Sequence, residues 1–283
     1  MSINTAAILV EMNISVWTAN KIDRAASIKV NSTSHASSDA GKYRKNLMAG
    51  TTKRKAIADY AAQCRLWHNQ QTLPWSDKGS RLIPMSLFMD YKQEAAVRRD
   101  IFDVMVTDFL ANYEDHVAAS EAHLGDLFDP NDYPSAAQVA DKFGYRLVFS
   151  PLPDSGDFRV DAPAAEVEEL RKQYEASVDE RVAEAMQTPW NRLHEMLISM
   201  TDKLGREEQG KDTRWYDSFI NNATTLCQML THLNVTGDPK LELARKDLER
   251  AMMGVTIDDV REDDRTRETM KEQLSGILKN YEW

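Results

Sequence analysis

The longest helical pattern in the chain occupies residues 163–204, PAAEVEELRKQYEASVDERVAEAMQTPWNRLHEMLISMTDKL. Apolar residues recur in it at steps of three and four, the spacing of one face of an α-helix. They are Val167, Leu170, Tyr174, Val178, Val182, Met186, Trp190, Leu193, Leu197, Met200 and Leu204. The pattern predicts a long amphipathic helix. Pro189 is expected to kink or split it, because proline lacks a backbone N–H and clashes with the preceding turn.

Further helices are predicted on both sides of this stretch, over residues 85–124, about 213–233, about 239–254 and about 262–281. Gly205 is expected to begin the charged loop that precedes the second of them. Asp238 followed by Pro239 is a strong start signal, because aspartate caps a helix and proline suits its first turn. Residues 163–283 are therefore predicted to form a helical bundle or a helix hairpin.

Three short stretches alternate apolar and polar residues, which is typical of half-buried strands. They are residues 10–16, residues 145–149 and residues 157–160. A small sheet that includes the N-terminal strand is predicted from them.

The rest of the N-terminal part is predicted to be mainly helical. Residues 21–40 form a helix that runs into a polar loop, and residues 41–71 form two helical pieces joined near residues 49–52. Ser135 is the expected N-cap of a short helix that stops at Gly144. The predicted fold is mainly α with a small β component (α+β), with a mixed α/β head over residues 1–160.

The segment Leu73–Pro84 contains Pro74, Gly79 and Pro84, so it must leave the helix and is predicted to be an ordered loop or short hairpin. Two interpretations remain open for it. Trp75 plugs the junction between two helical segments while Arg81 pairs with a carboxylate, or Trp75 and Arg81 bind a partner.

Composition places the chain among folded globular proteins, since it is 42% hydrophobic and 28% charged. No apolar stretch is long enough for a membrane span, and no membrane partner is predicted. The two cysteines, Cys64 and Cys227, lack the spacing of a disulfide framework or zinc knuckle. A reducing cytoplasm is the expected location.

The net charge of −10 is unevenly distributed along the chain. Residues 1–100 carry 15 Lys and Arg against 8 Asp and Glu, whereas residues 101–283 carry 20 against 37. This asymmetry indicates an anionic partner for the N-terminal third, or attraction between parts of one molecule or of neighbouring copies.

No motif in the sequence identifies an enzyme, and neither a cofactor nor a metal is predicted. Cys64 and His68 share a helix face, but a buried thiol beside an imidazole explains them better than a catalytic pair. His116 and His123 could in principle ligate zinc, but a polar helix edge explains them better. A composite metal site assembled from distant carboxylates stays open.

The basic segment 42–67 is the strongest candidate binding feature. Seven cations face only Asp59 there, and aromatic residues lie between them, a composition that suits the phosphates and bases of single-stranded nucleic acid. A solvated helix face, or docking on the acidic part of the same chain, would also fit. The candidate nucleic-acid-binding residues are Lys42, Arg44, Lys45, Lys53, Arg54, Lys55, Arg65 and Trp67.

Several short segments resemble an uncharacterised family of bacteriophage and prophage proteins, a domain of unknown function. They are Ile14–Thr18, Gly41–Leu47, Thr72–Trp75, Gly79–Pro84, Tyr133–Ser135 and Asp157–Val160. Members of that family are often encoded near MoxR-type AAA ATPases and von Willebrand A proteins, so the resemblance implies an accessory role in a remodelling assembly. It implies no catalytic residues.

Two functions follow as expectations. The first is a non-enzymatic phage-type interaction or assembly protein, which binds a protein such as an AAA ATPase or associates with itself through its long helices. The alternative is a single-stranded-DNA-binding protein that uses segment 42–67.

Overall fold

The computed structural model describes residues 3–76, 79–152, 163–207 and 218–283. It is 68% helical with 11% strands, which confirms the predicted fold class. The helices are α1 (Ile3–Ala6), α2 (Arg24–Thr33), α3 (Lys53–Gln71), α4 (Phe88–Ala111), α5 (Tyr113–Leu124), α6 (Ala136–Ala140), α7 (Ala164–Glu207), α8 (Ser218–Leu233), α9 (Pro239–Met252), α10 (Ile257–Glu262) and α11 (Asp264–Asn280). The strands are β1 (Ala7–Ser15), β2 (Asn20–Ile22), β3 (Arg44–Asn46), β4 (Leu73–Pro74), β5 (Arg81–Pro84) and β6 (Gly144–Ser150).

The chain forms two compact units, each built from separate segments. Unit 1 contains residues 1–11, 69–91 and 148–283, and unit 2 contains residues 12–68 and 92–147. This division differs from the predicted boundary near residue 160, because the N-terminal strand and the segment after α3 belong with the C-terminal helices.

Unit 1 is organised around the long helix α7, which packs against α8, α9 and α11. The buried side chains of this bundle include Leu193, Leu197, Met200, Leu230, Leu248 and Leu274. Pro189 lies inside α7 without ending it, so the predicted split does not occur. Gly205 also lies within α7 rather than at the start of a loop.

A four-stranded sheet has the strand order β4–β5–β1–β6. The start of β1 pairs antiparallel with β5, from Ala7 opposite Pro84 to Val10 opposite Arg81. Strands β4 and β5 form the hairpin expected for the Leu73–Pro84 segment. The predicted strands near residues 10–16 and 145–149 are therefore present, whereas residues 157–160 lie outside the described part of the chain.

Unit 2 is held together by a core between α3, α4 and α5. Ile57 and Cys64 of α3 are buried in the same cluster as Phe102 and Phe109 of α4 and Tyr113 of α5. Tyr113 follows a break at residue 112, so the predicted helix over 85–124 is two helices.

Residues 41–48 are not helical, and the prediction of a first helical piece there is wrong. Strand β3 pairs antiparallel with β2 instead, with Lys21 opposite Lys45 and Ile22 opposite Arg44. The helix begins only at Lys53, after a turn in which Gly50 has a φ of +87°, a conformation that glycine adopts without strain. We call this two-stranded element the β2–β3 ribbon.

Candidate functional site

The arginines of α3 in the basic segment hold the strand and loop that precede the helix in unit 2. Arg54 Nε donates to the Trp17 carbonyl over 2.8 Å. Arg65 Nη2 donates to the Ile14 carbonyl over 2.6 Å. Both guanidiniums thus satisfy backbone acceptors near the end of β1, which is a structural role.

The exposed lysines of α3 are ion-paired. Lys53 Nζ lies 2.8 Å from an Asp108 carboxylate oxygen, and Lys55 Nζ lies 2.7 Å from one of Asp59. These pairs are exposed, so each contributes little to stability, but they reduce the positive potential along the helix.

Trp67 lies on α3 next to a cation of its own unit. The guanidinium carbon of Arg98 is 4.7 Å from the centroid of the Trp67 ring. This distance allows a cation–π interaction, which covers one face of the indole.

Lys45 is buried between two carboxylates. Its Nζ lies 2.5 Å from Asp132 Oδ2 and 3.3 Å from Asp23 Oδ2, and it donates to the Leu127 carbonyl over 2.6 Å. Lys21 also pairs with Asp132. This cluster joins the β2–β3 ribbon to the turns that follow α5, so Lys45 is a structural cation rather than an exposed binding group.

The electrostatics of this cluster follow from the same contacts. Burial by itself would lower the pKa of Lys45, but hydrogen bonds with Asp132 and Asp23 raise it above the ordinary value. Burial would raise the pKa of Asp132, but hydrogen bonds from Lys21 and Lys45 lower it below 3.8. The charged forms of all these groups stabilise one another.

A different set of cations lies at the end of the β2–β3 ribbon. Because side chains alternate between the faces of a strand, Arg44 lies on the face away from Lys45. Lys42 lies two residues before β3, and Arg24, the first residue of α2, lies two residues after β2. We call Arg24, Lys42 and Arg44 the ribbon cations. Their side chains make no ion pair or hydrogen bond with any residue that the structure describes.

These three cations line a cavity of about 1060 Å³ in unit 2. Its other walls include the charged side chains around Lys45, together with Asp126 and Asp129 and the apolar residues Ile22, Ile28, Leu127 and Phe128. The lining therefore mixes five cations with four carboxylates and several apolar side chains.

The loop that leads into the ribbon is fixed by Asn31, which is only 7% exposed. Asn31 Nδ2 donates to the carbonyls of Ser38 and Gly41 over 3.2 and 3.1 Å. The Tyr43 amide donates to Ser27 Oγ over 2.9 Å. These bonds hold the backbone on either side of Lys42, so the cations of the ribbon stand on an ordered support.

The charge asymmetry of the sequence is largely balanced inside unit 2. Residues 12–68 carry ten Lys and Arg against three Asp and Glu, and residues 92–147 carry five against eleven. Unit 2 as a whole is thus close to neutral. The positive charge that has no nearby carboxylate partner is local. Arg24, Lys42 and Arg44, which are unpaired among the described residues, line one cavity at the ribbon.

The hairpin of β4 and β5 holds the two candidate partner-binding residues, and both are engaged within unit 1. Trp75 is only 8% exposed and belongs to the core of unit 1, with the Arg181 guanidinium carbon 5.8 Å from its ring centroid. Arg81 Nε donates to Thr72 Oγ1 over 2.6 Å, and Nη2 donates to the carbonyls of Asn69 and Thr72.

These contacts favour the packing interpretation of Trp75 over a binding role. The expected carboxylate partner of Arg81 is absent from the described residues, which supply a hydroxyl and backbone carbonyls instead. Burial, with the nearby Arg192 guanidinium, lowers the pKa of Arg81.

Sequence analysis missed Arg192 on α7, which holds the same backbone. Its Nη2 donates to the Asn69 carbonyl over 2.6 Å and its Nη1 to the Gln70 carbonyl over 2.7 Å. Residues 69–72 form the C-terminal end of α3, where carbonyls have no partner within the helix. Two guanidiniums therefore cap one helix end, and nothing in the local sequence around residue 192 predicts such a distant contact.

Helix α7 is 44 residues long, whereas its partners α8, α9 and α11 have 16, 14 and 17 residues. Its first buried residue is Ala185, so residues 164–184 contain none. The apolar stripe nevertheless continues there, with Leu170 37% exposed and Val167 half-buried, and from Val178 onward it packs against the core of unit 1. We call residues 164–177 the projecting half of α7.

The side chains considered for catalysis or metal binding, Cys64 and His116, are packed among other residues of unit 2. Cys64 is buried, and its burial raises the pKa of the thiol, which disfavours the nucleophilic thiolate. His116 stacks on Phe109 at a centroid distance of 5.3 Å. Among the residues that the structure describes, no three His, Cys, Asp or Glu side chains are grouped as metal ligands.

The acidic group at the start of α10 and α11 acts as helix caps. Asp259 completes a capping box with Thr256, and the Asp263 side chain accepts from the Arg265 amide.

In the described residues, no helix combines the length and apolar character needed to cross a membrane.

The fold and these sites define a mainly helical protein of two interleaved units with a small sheet. Compared with protein-family models, curated proteins and solved structures, the chain gives no significant match.

Proposed function

We propose that this chain is a non-enzymatic interaction protein that binds its partner through the projecting half of α7. The observation that supports this proposal is the partly exposed apolar stripe of Val167, Leu170 and Tyr174, which precedes the part of α7 that packs against the core. Apolar residues at helical spacing on an exposed helix are the usual anchors of helix-in-groove recognition.

The charge of the projecting half defines the chemistry of the partner. It carries four Glu against one Lys and one Arg, a net charge of −2. Side-by-side pairing of two copies would bring like charges together, which disfavours self-association through this helix. The fitting partner is a different protein with an apolar groove or helix bordered by basic residues.

The resemblance to phage proteins adds a MoxR-type AAA ATPase as the first partner to test, in the host cytoplasm. The single-stranded-DNA alternative through the whole of segment 42–67 receives less support, because five of its cations have partners within unit 2.

The test compares two double variants of equal charge. Val167→Glu with Leu170→Glu disrupts the stripe, whereas Ala165→Glu with Ala176→Glu changes exposed positions on the opposite side of the same helix. The readouts are light scattering after size exclusion and pull-down with a purified MoxR-type ATPase or host lysate.

The wild type and the control are expected to retain the same partner, and the stripe variant is expected to lose it while keeping its helical circular dichroism. Capture that is equal in all three proteins, or a strict monomer that retrieves nothing, would contradict the proposal.

A further inference from the structure

We propose that Arg24, Lys42 and Arg44, which line one cavity at the β2–β3 ribbon, bind the phosphates of a single-stranded nucleic acid. This goes beyond the proposed protein interaction, because the site lies in unit 2 and uses none of α7. It also differs from the predicted segment 42–67, since it excludes the cations of α3 and adds Arg24.

Lys42 and Arg44 are the two cations of segment 42–67 that have no partner in the described residues, and Arg24 lies beside them. The lysines of α3 are paired with Asp108 and Asp59, and Lys45 lies between two buried carboxylates. Arg24, Lys42 and Arg44 have no charged or hydrogen-bonding partner in the described residues. An exposed cation without a partner is able to exchange its counterion for a phosphate, which is the main source of affinity for nucleic acids.

The spacing of the three cations suits a linear ligand. Lys42 and Arg44 are two residues apart in a segment that enters β3, and residues two apart on an extended strand are about 7 Å apart. Arg24 lines the same cavity from the start of α2. Successive phosphates of an extended single strand are separated by a similar distance, so neighbouring phosphates can each meet a cation.

The remaining walls of the cavity distinguish a nucleotide chain from a simple anion. Phe128, Ile22 and Leu127 offer apolar surface to bases or sugars, as stacking residues do in single-strand binders. Asp126 and Asp129 would repel a bare polyphosphate but accept hydrogen bonds from amino or hydroxyl groups of nucleotides. Both features lie within the cavity of about 1060 Å³, which is large enough for more than one nucleotide.

The experiment measures fluorescence anisotropy of a labelled single-stranded DNA of about 20 nucleotides with the full chain, at about 20 mM NaCl and in a salt series. The ribbon variant combines Arg24→Gln, Lys42→Gln and Arg44→Gln. The control variant combines Lys53→Gln, Lys55→Gln and Arg99→Gln, which removes the same charge from α3 and α4. Circular dichroism and thermal melting verify that both variants are folded.

The ribbon variant is expected to weaken binding at least about tenfold, and its salt slope should fall by about 2, since each single-strand phosphate contact contributes about 0.7. The control should lose less than about threefold. No binding by the wild type, or an equal loss in both variants, would overturn the proposal. Competition by inorganic polyphosphate as strong as that by unlabelled DNA would overturn the nucleotide chain as the ligand.

If the ribbon variant does not fold, the single changes Lys42→Gln and Arg44→Gln provide the same comparison against Lys53→Gln. Each exposed single change should weaken binding about threefold. A wild-type affinity in both single variants would equally overturn the proposal.

Discussion

Lys45 is a buried cation whose ammonium joins two carboxylates from different parts of unit 2. Only 5% of its side chain is exposed, against 9% for Asp132 and 15% for Asp23. Removing the cation leaves Asp23 without its cation and Asp132 with Lys21 alone, which is the costly way to break a buried ion pair. Lys45→Met is therefore expected to lower the free energy of unfolding by about 3 kcal/mol in urea titrations at neutral pH.

Lys55→Met is the matched control for this change, because Lys55 pairs with Asp59 at the surface, where both side chains are more than half exposed. Its effect should be below about 0.5 kcal/mol. Equal losses in the two variants would contradict the structural role of Lys45.

The difference between wild type and Lys45→Met should also depend on pH. The pKa values of Asp23 and Asp132 are lowered from 3.8, so their stabilising effect is present above 3.8 and is lost as the pH falls below it. The difference in the free energy of unfolding between wild type and Lys45→Met should therefore become smaller at acid pH. Urea titrations between neutral pH and about pH 3 measure this change.

Individual residues of the basic segment show what a sequence count can and cannot establish. The sequence establishes that Lys42, Lys45 and Lys53 are cationic and close in the chain. The sequence does not show which carboxylates pair with Lys45 and Lys53, because Asp132 and Asp108 are more than 50 residues away from them along the chain. Only the three-dimensional contacts separate the paired cations from those that remain available.

At the scale of elements, the C-terminal end of α3 depends on side chains from two other elements. Arg192 of α7 and Arg81 of β5 donate to the carbonyls of residues 69–72. Arg192→Ala removes charged donors from the carbonyls of the exposed residues Asn69 and Gln70, so the free energy of unfolding should fall by about 1 kcal/mol. Hydrogen exchange should rise selectively in the last turn of α3.

Arg192→Lys should recover only part of this loss, because one ammonium cannot reproduce the fork that reaches two carbonyls. Arg171→Ala is the control on the same helix, since Arg171 is exposed and pairs only with Glu168. Its stability should stay within about 0.5 kcal/mol of wild type. Unchanged amide hydrogen exchange in the last turn of α3 of Arg192→Ala would show that the Arg192 hydrogen bonds do not stabilise this helix end.

The elements with long apolar periodicity were the ones that the sequence predicted well. Helices α7 and α9 and strand β6 form where the pattern placed them, because burial of one face dominates the choice of structure. The β2–β3 ribbon was missed, since each strand has three residues and its stability comes from Lys45 contacts rather than from an apolar pattern.

At the scale of the whole molecule, the two units are interleaved in sequence. Residues 1–11 and 69–91 contribute Ala7, Leu73, Trp75 and Leu82 to the core that contains the α7 bundle. Local patterns predict which residues are apolar, but they do not show which of several cores a short strand joins. That is why the boundary predicted near residue 160 differs from the observed division.

The interleaving predicts that residues 163–283 do not fold as an independent bundle. A fragment cut at this boundary lacks Leu73, Trp75 and Leu82, which are almost fully buried beside the α7 helices in the intact chain. Loss of large buried side chains costs several kcal/mol each, of the order of the whole stability of a domain. The fragment should keep helical circular dichroism but bind the dye ANS and melt without a cooperative transition, as a loosely packed state does. The full chain melted alongside is the control, and a fragment that melts as sharply and at the same temperature would refute the shared core.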